Sequence, residues 1–272
     1  VLGHEFAGVT QDGQRVALDP AIACGKCACC LEGNPNLCAN IIFAGNATED
    51  GALREWLAWP FQFLFPIPAA LSDADGAMLE PLGVAIHSVD LGHVRTGMTV
   101  GVLGCGPIGL LILQVARAAG ATRLIATDVL PHRLDAARSF GATAFQAQSG
   151  QEAAEVWAAT GKHGVDVAFE AAGENAAVET ALAIAKPGGH VILCGIPADD
   201  RTSFNASIAR RKGLTIKMVR RMKHTFPRAI RLVESGVVDV RSIVTHHFPL
   251  VESNQAFAVA QRREGLKVII DC

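Results

Sequence analysis

"TVGVLGCGPIGLL", Thr99 to Leu111, joins a short apolar run to a glycine-rich turn and then to a second apolar run. The first run has the length and β-branched content of a buried strand. Ile108, Leu111, Ile112, Val115, Ala116 and Ala119 follow at helical spacing, and Gly120 stands where such a helix would stop. Gly104, Gly106 and Gly109 form a G-x-G-x-x-G turn between them. In a βαβ unit the first glycine permits the tight turn, the second lets a pyrophosphate approach the backbone, and the third lets helix pack on strand. Pro107 and Ile108 begin the helix, whose unpaired amides and positive dipole end would carry the phosphates. Alone, such a turn is a weak signal and reads equally as a flexible loop. Here Asp128 closes the next apolar run, nineteen residues beyond Gly109, where an acid binds the adenosine ribose hydroxyls. A carboxylate there would repel a 2′-phosphate, so the expected cofactor is NAD rather than NADP. Arg133 is near enough to soften that preference.

Outward from this turn the same alternation continues. "RLIAT" reads as a strand and "PHRLDAARSF" as a helix with Pro131 in its first turn and Gly141 past its end. "VDVAFEAAG", "HVILCGI" and "LTIKMV" read as further strands, separated by the helices "ENAAVETALAIA" and "SFNASIARRKG". Strands alternating with helices at this pace build right-handed βαβ units, hence α/β architecture with a doubly wound parallel sheet. The pattern covers residues 81–221. Residues 1–80 are rich in Pro, Gly and short β-like pieces with no long helix, and residues 222–272 return to helix, strand, helix and strand. The expected organisation is a dinucleotide-binding domain inserted between two segments of a β-rich domain.

The bulk composition excludes several classes. The chain has 272 residues, half of them hydrophobic, which suits two cores with a large buried sheet. A formal net charge of −2 with no basic run gives no support for a nucleic-acid or membrane-surface partner. Met98 to Ala116 is uncharged, but its glycines and proline fit the nucleotide turn better than a membrane span. The opening "VLGHEFAG" has no charged n-region, so no signal peptide is read there and a cytoplasmic location is expected.

Five of eight cysteines fall within "CGKCACCLEGNPNLC", Cys24 to Cys38. Cys24, Cys27, Cys30 and Cys38 are spaced C-x₂-C-x₂-C-x₇-C. Disulfides are disfavoured beside a cytosolic nucleotide fold, and a redox C-x-x-C needs a βαβ context that this loop lacks. Four thiolates from a Gly/Pro/Asn loop can close a tetrahedral zinc shell with no open position, which makes the site structural. Cys29 is then a bystander, and Cys105, Cys194 and Cys272 are read as buried or inert.

"GHEFAG", the cysteine loop, "EPLGVAIH", "GCGPIGL" and Asp128, in that order, resemble the zinc-containing medium-chain dehydrogenase family over essentially the whole chain. "MLEPLGVAIHSV" and "VTHHFPL" look most like its polyol and butanediol members, and threonine dehydrogenases share much of the pattern. The resemblance implies a GroES-like catalytic domain around a Rossmann domain, and a catalytic zinc besides the structural one. By that resemblance His4 is a ligand of the catalytic zinc, Glu5 the carboxylate beside it, and Glu80 the acid that stands in for a last cysteine ligand. The family's first catalytic ligand, a cysteine upstream of "GHE", is expected to precede this sequence, together with the proton relay, so the 272-residue piece is expected to be inactive alone. Arg221 aligns with an arginine near cofactor and substrate. Gly173, Gly195 and Ile196 lie where backbone lines the nicotinamide, although ordinary strand-end turns explain them nearly as well. Met222 stands where polyol enzymes often carry tyrosine, and His247 where the family pattern has arginine. His87, His93 and His190 are read as structural. The implied activity is NAD-dependent oxidation of a secondary alcohol or polyol by a homodimer or homotetramer. The alternatives are a threonine 3-dehydrogenase or a non-catalytic NAD- and zinc-binding protein.

Overall fold

The computed structural model describes residues 1–46, 49–148 and 151–272. They form two compact units, Val1–Val84 with Arg220–Cys272, and Ala85–Val219.

The first unit begins with strands β1 (Ala7–Val9), β2 (Arg15–Leu18) and β3 (Ala21–Ile22), the short helix α1 (Ala28–Leu31), then β4 (Ile42–Phe43) and β5 (Leu64–Pro66). β2 pairs antiparallel with β1 and with β5, and β3 with β4. The strands are short because Pro and Gly interrupt the apolar runs; Val16, Ala17 and Leu18 of the central strand are nonetheless buried. Helix α2 (Asp73–Ala77) starts with a capping box in which Ser72 Oγ accepts from the Asp75 amide and the Asp75 carboxylate accepts from the Ser72 amide. The buried Asp75 carboxylate also accepts from Arg241 Nε at 2.9 Å, which ties the return segment to the first one. Helix α3 (Leu79–Gly92) follows directly and carries Glu80 in its first turn; the division between units falls within it.

The second unit runs β6 (Thr99–Leu103), α4 (Pro107–Ala118), β7 (Arg123–Asp128), α5 (Pro131–Ser139), β8 (Thr143–Gln146), α6 (Gln151–Ala159), β9 (Val165–Glu170), α7 (Asn175–Ile184), β10 (Ala185–Leu193), α8 (Ala206–Lys212) and β11 (Thr215–Met218). Every pairing is parallel, in the order β11-β10-β9-β6-β7-β8. Strand order therefore reverses between β6 and β9, the doubly wound arrangement whose crevice lies beyond the carboxyl ends of these strands. Val100, Val102, Val167, Phe169, Val191 and Ile192 are buried, as strands covered on both faces require. Three elements differ from the sequence reading. β8 and α6 were not distinguished, because "TAFQ" is a half-exposed edge strand with no apolar run. β10 stops at Leu193 rather than Ile196, because the Cys194 and Gly195 amides turn to the Glu170 carbonyl.

Lys212 ends α8 and caps its neighbour α7. Its Nζ donates to the carbonyls of Leu182, Ala183 and Ala185 and lies 5.2 Å from the centre of the Trp157 ring. Trp157 Nε1 also donates to the Ala183 carbonyl at 3.0 Å, so two side chains hold this end of α7, and the ammonium there meets the negative end of the helix dipole. Lys212→Met keeps the stem but takes the ammonium from the Leu182 and Ala185 carbonyls, and is expected to destabilise the protein by roughly 1–3 kcal/mol, read as a lower urea midpoint with unchanged slope.

The return segment of the first unit comprises α9 (Phe226–Glu234), β12 (Val244–Pro249), α10 (Ser253–Gln261) and β13 (Lys267–Asp271), with β12 and β13 paired parallel. Among the described residues no helix is long and apolar enough to cross a membrane; the apolar stretch around Ile108 is β6, the turn and α4.

Candidate metal and dinucleotide sites

The glycine turn has the shape its spacing implies. Gly104 has φ +95°, and a Cβ there would stand 2.7 Å from the Ala172 amide nitrogen. A Cβ on Gly109 would run into the Gly104 carbonyl oxygen. Gly106 is the N-cap of α4 with Pro107 following, and among the described residues its Cβ would meet just Arg133 Nη1, at 3.6 Å. The turn is thus closed on its inner side by backbone and open at Gly106. Asp128, 6 % exposed, accepts from the Cys105 amide at 2.7 Å and from the Leu130 amide at 2.9 Å. Each oxygen keeps a free lone pair for a further donor. Arg133 is half-buried, and its Nε is buried with no hydrogen-bond partner.

Gly173 and Gly195 meet at the ends of β9 and β10, packed so closely that a side chain on either would strike the other strand's backbone. The carboxylate that organises this junction was missed from sequence. Glu170, 2 % exposed, accepts from the Ala172 and Gly173 amides at 2.7 Å each. Burial holds its carboxyl above the ordinary range, against the pull of those amides. The available signal was its position: Glu170 ends β9 as Asp128 ends β7. Ile196 beside it is 84 % exposed.

Cys24, Cys27, Cys30 and Cys38 bring their sulfur atoms within 4.8 Å of one another. None is bridged, and Cys27 and Cys30 Sγ lie 3.5 Å apart. The Lys26 and Cys27 amides draw the Cys24 thiol down to about 6, so the group contains a ready thiolate. The Cys24 amide in turn donates to Cys38 Sγ at 3.4 Å. This donor set fits a tetrahedral thiophilic ion. Of the remaining thiols, burial pushes Cys105 and Cys194 up to about 12, which makes them inert, whereas Cys272 is exposed.

His4, Glu5 and Glu80 form the second group, with one ligand atom from each within 4.8 Å of the others. His4 and Glu5 precede β1, and Glu80 projects from the start of α3. Partial desolvation of the His4 ring, with Lys267 and Arg221 close by, lowers its pKa and keeps the imidazole neutral, the form that binds a metal. Burial pushes the Glu80 carboxyl up to about 7 although Arg221 opposes it. Each carboxylate has a cationic neighbour: Lys267 was not singled out from the sequence, and Arg221 was placed near cofactor and substrate but not beside Glu80. Lys267 Nζ contacts Glu5, and Arg221 lies 3.6 Å from Glu80 and 3.1 Å from Asp19. Those partners come from remote points of the chain, and no local spacing announces them. Arg221 belongs to the first unit and stacks its guanidinium 4.7 Å from the Phe43 ring centre. Met222 is a core residue packed at Gly83, and His247 Nδ1 faces Asp271 at 3.3 Å. His87 is buried, while His93 and His190 stack edge to face.

The alcohol dehydrogenase GroES-like domain model matches residues 1–69 and the zinc-binding dehydrogenase model residues 107–235. A sorbitol dehydrogenase of Bacillus subtilis (strain 168) is 35% identical over 283 residues, covering 99% of this chain and 80% of that relative. The chain belongs to the zinc-containing medium-chain dehydrogenase family. This dehydrogenase also shares its fold with solved structures. One is a zinc-binding dehydrogenase of Sinorhizobium meliloti 1021 bound to NADP, with TM-score 0.90, 31% identity and coverage of 100% of this chain and 83% of that one. Another is an alcohol dehydrogenase of Escherichia coli CFT073 complexed with NADH, with TM-score 0.91, 28% identity and coverage of 100% and 84%.

Proposed function

We propose that this dehydrogenase oxidises a polyol or related secondary alcohol to a ketose or ketone, with NAD as acceptor. The observation that carries the reading is the His4–Glu5–Glu80 group, a neutral imidazole and two carboxylates within 4.8 Å, in a chain 35% identical to a sorbitol dehydrogenase. Zinc held there would supply Lewis acidity to the substrate hydroxyl, and NAD would accept the carbinol hydride. The chain's own part is placement and charge. His4 offers a lone pair, Glu5 and Glu80 offer negative charge, and Lys267 and Arg221 fix where those carboxylates lie. A second zinc, held by Cys24, Cys27, Cys30 and Cys38, would be structural.

Residues 81–221 are proposed as the NAD-binding domain, with Gly104, Gly106, Pro107, Ile108 and Gly109 under the pyrophosphate and Gly173, Gly195 and Ile196 beside the nicotinamide. The Asp128 charge, fixed by two amides, supports NAD over NADP, with Arg133 as a second ribose contact. Arg221 is proposed to serve substrate through its place beside Glu80. A dimer or tetramer is supported by the free edge of β11, where Met218 is 68 % exposed. The unbridged thiols support a reducing compartment such as the cytoplasm.

The reading is tested with the full-length protein, by offering xylitol, sorbitol, 2,3-butanediol and L-threonine with NAD and following NADH absorbance. Turnover of the polyols is expected; turnover of threonine alone would replace the reading. A companion measurement addresses the turn. Gly109→Ala forces the Gly104 carbonyl aside, at a cost of about 1–3 kcal/mol, so NADH affinity by fluorescence titration is expected to fall roughly tenfold.

A further inference from the structure

Residues 220–225 are held in an unusual path. Arg221 and His224 have φ values of 52° and 50°, left-handed positions that side chains other than glycine rarely adopt. Such a path persists only where its surroundings over-determine it. Two side chains of the cysteine loop do so. Asn36 Nδ2 donates to the Arg220 carbonyl at 3.0 Å, and Asn34 Oδ1 accepts from Lys223 Nζ at 2.7 Å. Between these two ties the Arg221 side chain, 9 % exposed, reaches Asp19 and Glu80.

Asn36 is 5 % exposed, and its Oδ1 is buried without a partner. A half-satisfied buried amide is a poor choice for loop stability alone. Its donor, by contrast, lands on the residue before Arg221. We propose that Asn36 is a positioning residue: through the Arg220 carbonyl it couples the four-cysteine lobe to the Arg221–Glu80 pair, and so to ion retention at His4, Glu5 and Glu80. This rests on reading that group as a cation site. The lobe then acts on the reactive site and is more than a separate structural staple.

In this 272-residue chain cobalt(II) substitution separates the two ions, since charge-transfer absorption arises from the four-thiolate site alone, and the d–d absorption left after that site's share is subtracted reports the His4–Glu5–Glu80 site. The rate at which each signal is lost to EDTA is measured in wild type, Asn36→Ala, Asn36→Asp and Lys223→Met. Loss of the d–d signal is expected to quicken about fivefold in both Asn36 variants, the equivalent of one neutral hydrogen bond, with the thiolate band decaying at the wild-type rate. An unchanged rate overturns the proposal, and so does a slower one, which would mean that Arg221 merely repels the ion. Should the Asn36 variants misfold or shed the lobe ion, Lys223→Met decides, because it cuts the other tie from outside the lobe: faster d–d loss upholds the coupling and a wild-type rate ends it. A wild type that shows the thiolate band alone defeats the cation-site reading itself, and the coupling with it. Two signals in wild type with unaffected variants defeat only the coupling.

Discussion

In the full-length protein His4→Ala is expected to lower kcat/KM for polyol oxidation about a thousandfold while leaving NADH affinity within about twofold of wild type. The group has one neutral donor and two carboxylates, and the carboxylates already have alternatives in Lys267 and Arg221. Without the imidazole, an ion would have to compete with both cations for oxygen ligands alone. Lewis-acid stabilisation of the transition state amounts to several kcal/mol, and about 4 kcal/mol corresponds to roughly three decades of rate. The glycine turn lies in the other unit and is untouched by the substitution, which is why cofactor affinity should hold. The checks are steady-state NADH formation and fluorescence titration. A variant that keeps more than roughly a tenth of wild-type kcat/KM, well above the thousandfold loss, would remove His4 from the chemistry.

Cys30→Ser is expected to release the lobe's ion and to let a protease cut between Cys24 and Cys38 under conditions where the wild type is resistant. Packing offers this loop little. Helix α1 has no buried residue, Leu31 and Leu37 are exposed, and within the stretch only Asn36 and Cys38 are buried. A structural zinc contributes on the order of 10–16 kcal/mol of apparent binding free energy in isolated peptides, comparable with the whole stability of a typical domain, about 5–15 kcal/mol. Loss of one thiolate should therefore lower the melting temperature by many degrees, with EDTA treatment of the wild type giving the same result. Equal protease resistance and equal melting of apo and metal-loaded protein would mean that packing holds the loop after all.

Much of the second unit was legible because its physics is local. Apolar runs buried on both faces announce parallel strands, and Gly104, Gly106 and Gly109 carry a local spacing that marks the turn, although the contact that excludes a side chain at Gly104 comes from Ala171 and Ala172. The cysteine group was legible for the same reason, four ligands within fifteen residues. What escaped was assembled over distance or lacked a pattern. Lys267 and Glu5, Arg221 and Asp19, and Asn36 and Arg220 are separated by 262, 202 and 184 positions. Glu170 sits at the end of an ordinary apolar strand, and its role depends on two amides that follow it and on burial that a single sequence does not state. β8 was hidden because an edge strand with one wet face needs few apolar residues.

The short gap between Cys27 and Cys30 sulfur has a practical side. Formation of a covalent link needs only about 2.05 Å between such atoms, so peroxide or metal-catalysed air oxidation could join them with little backbone motion and expel whatever they hold. Purification under a mild phosphine or thiol reagent, in degassed buffer, is therefore the handling this polypeptide calls for, and gradual darkening of activity on the shelf should be reversible by that reagent only while zinc is resupplied.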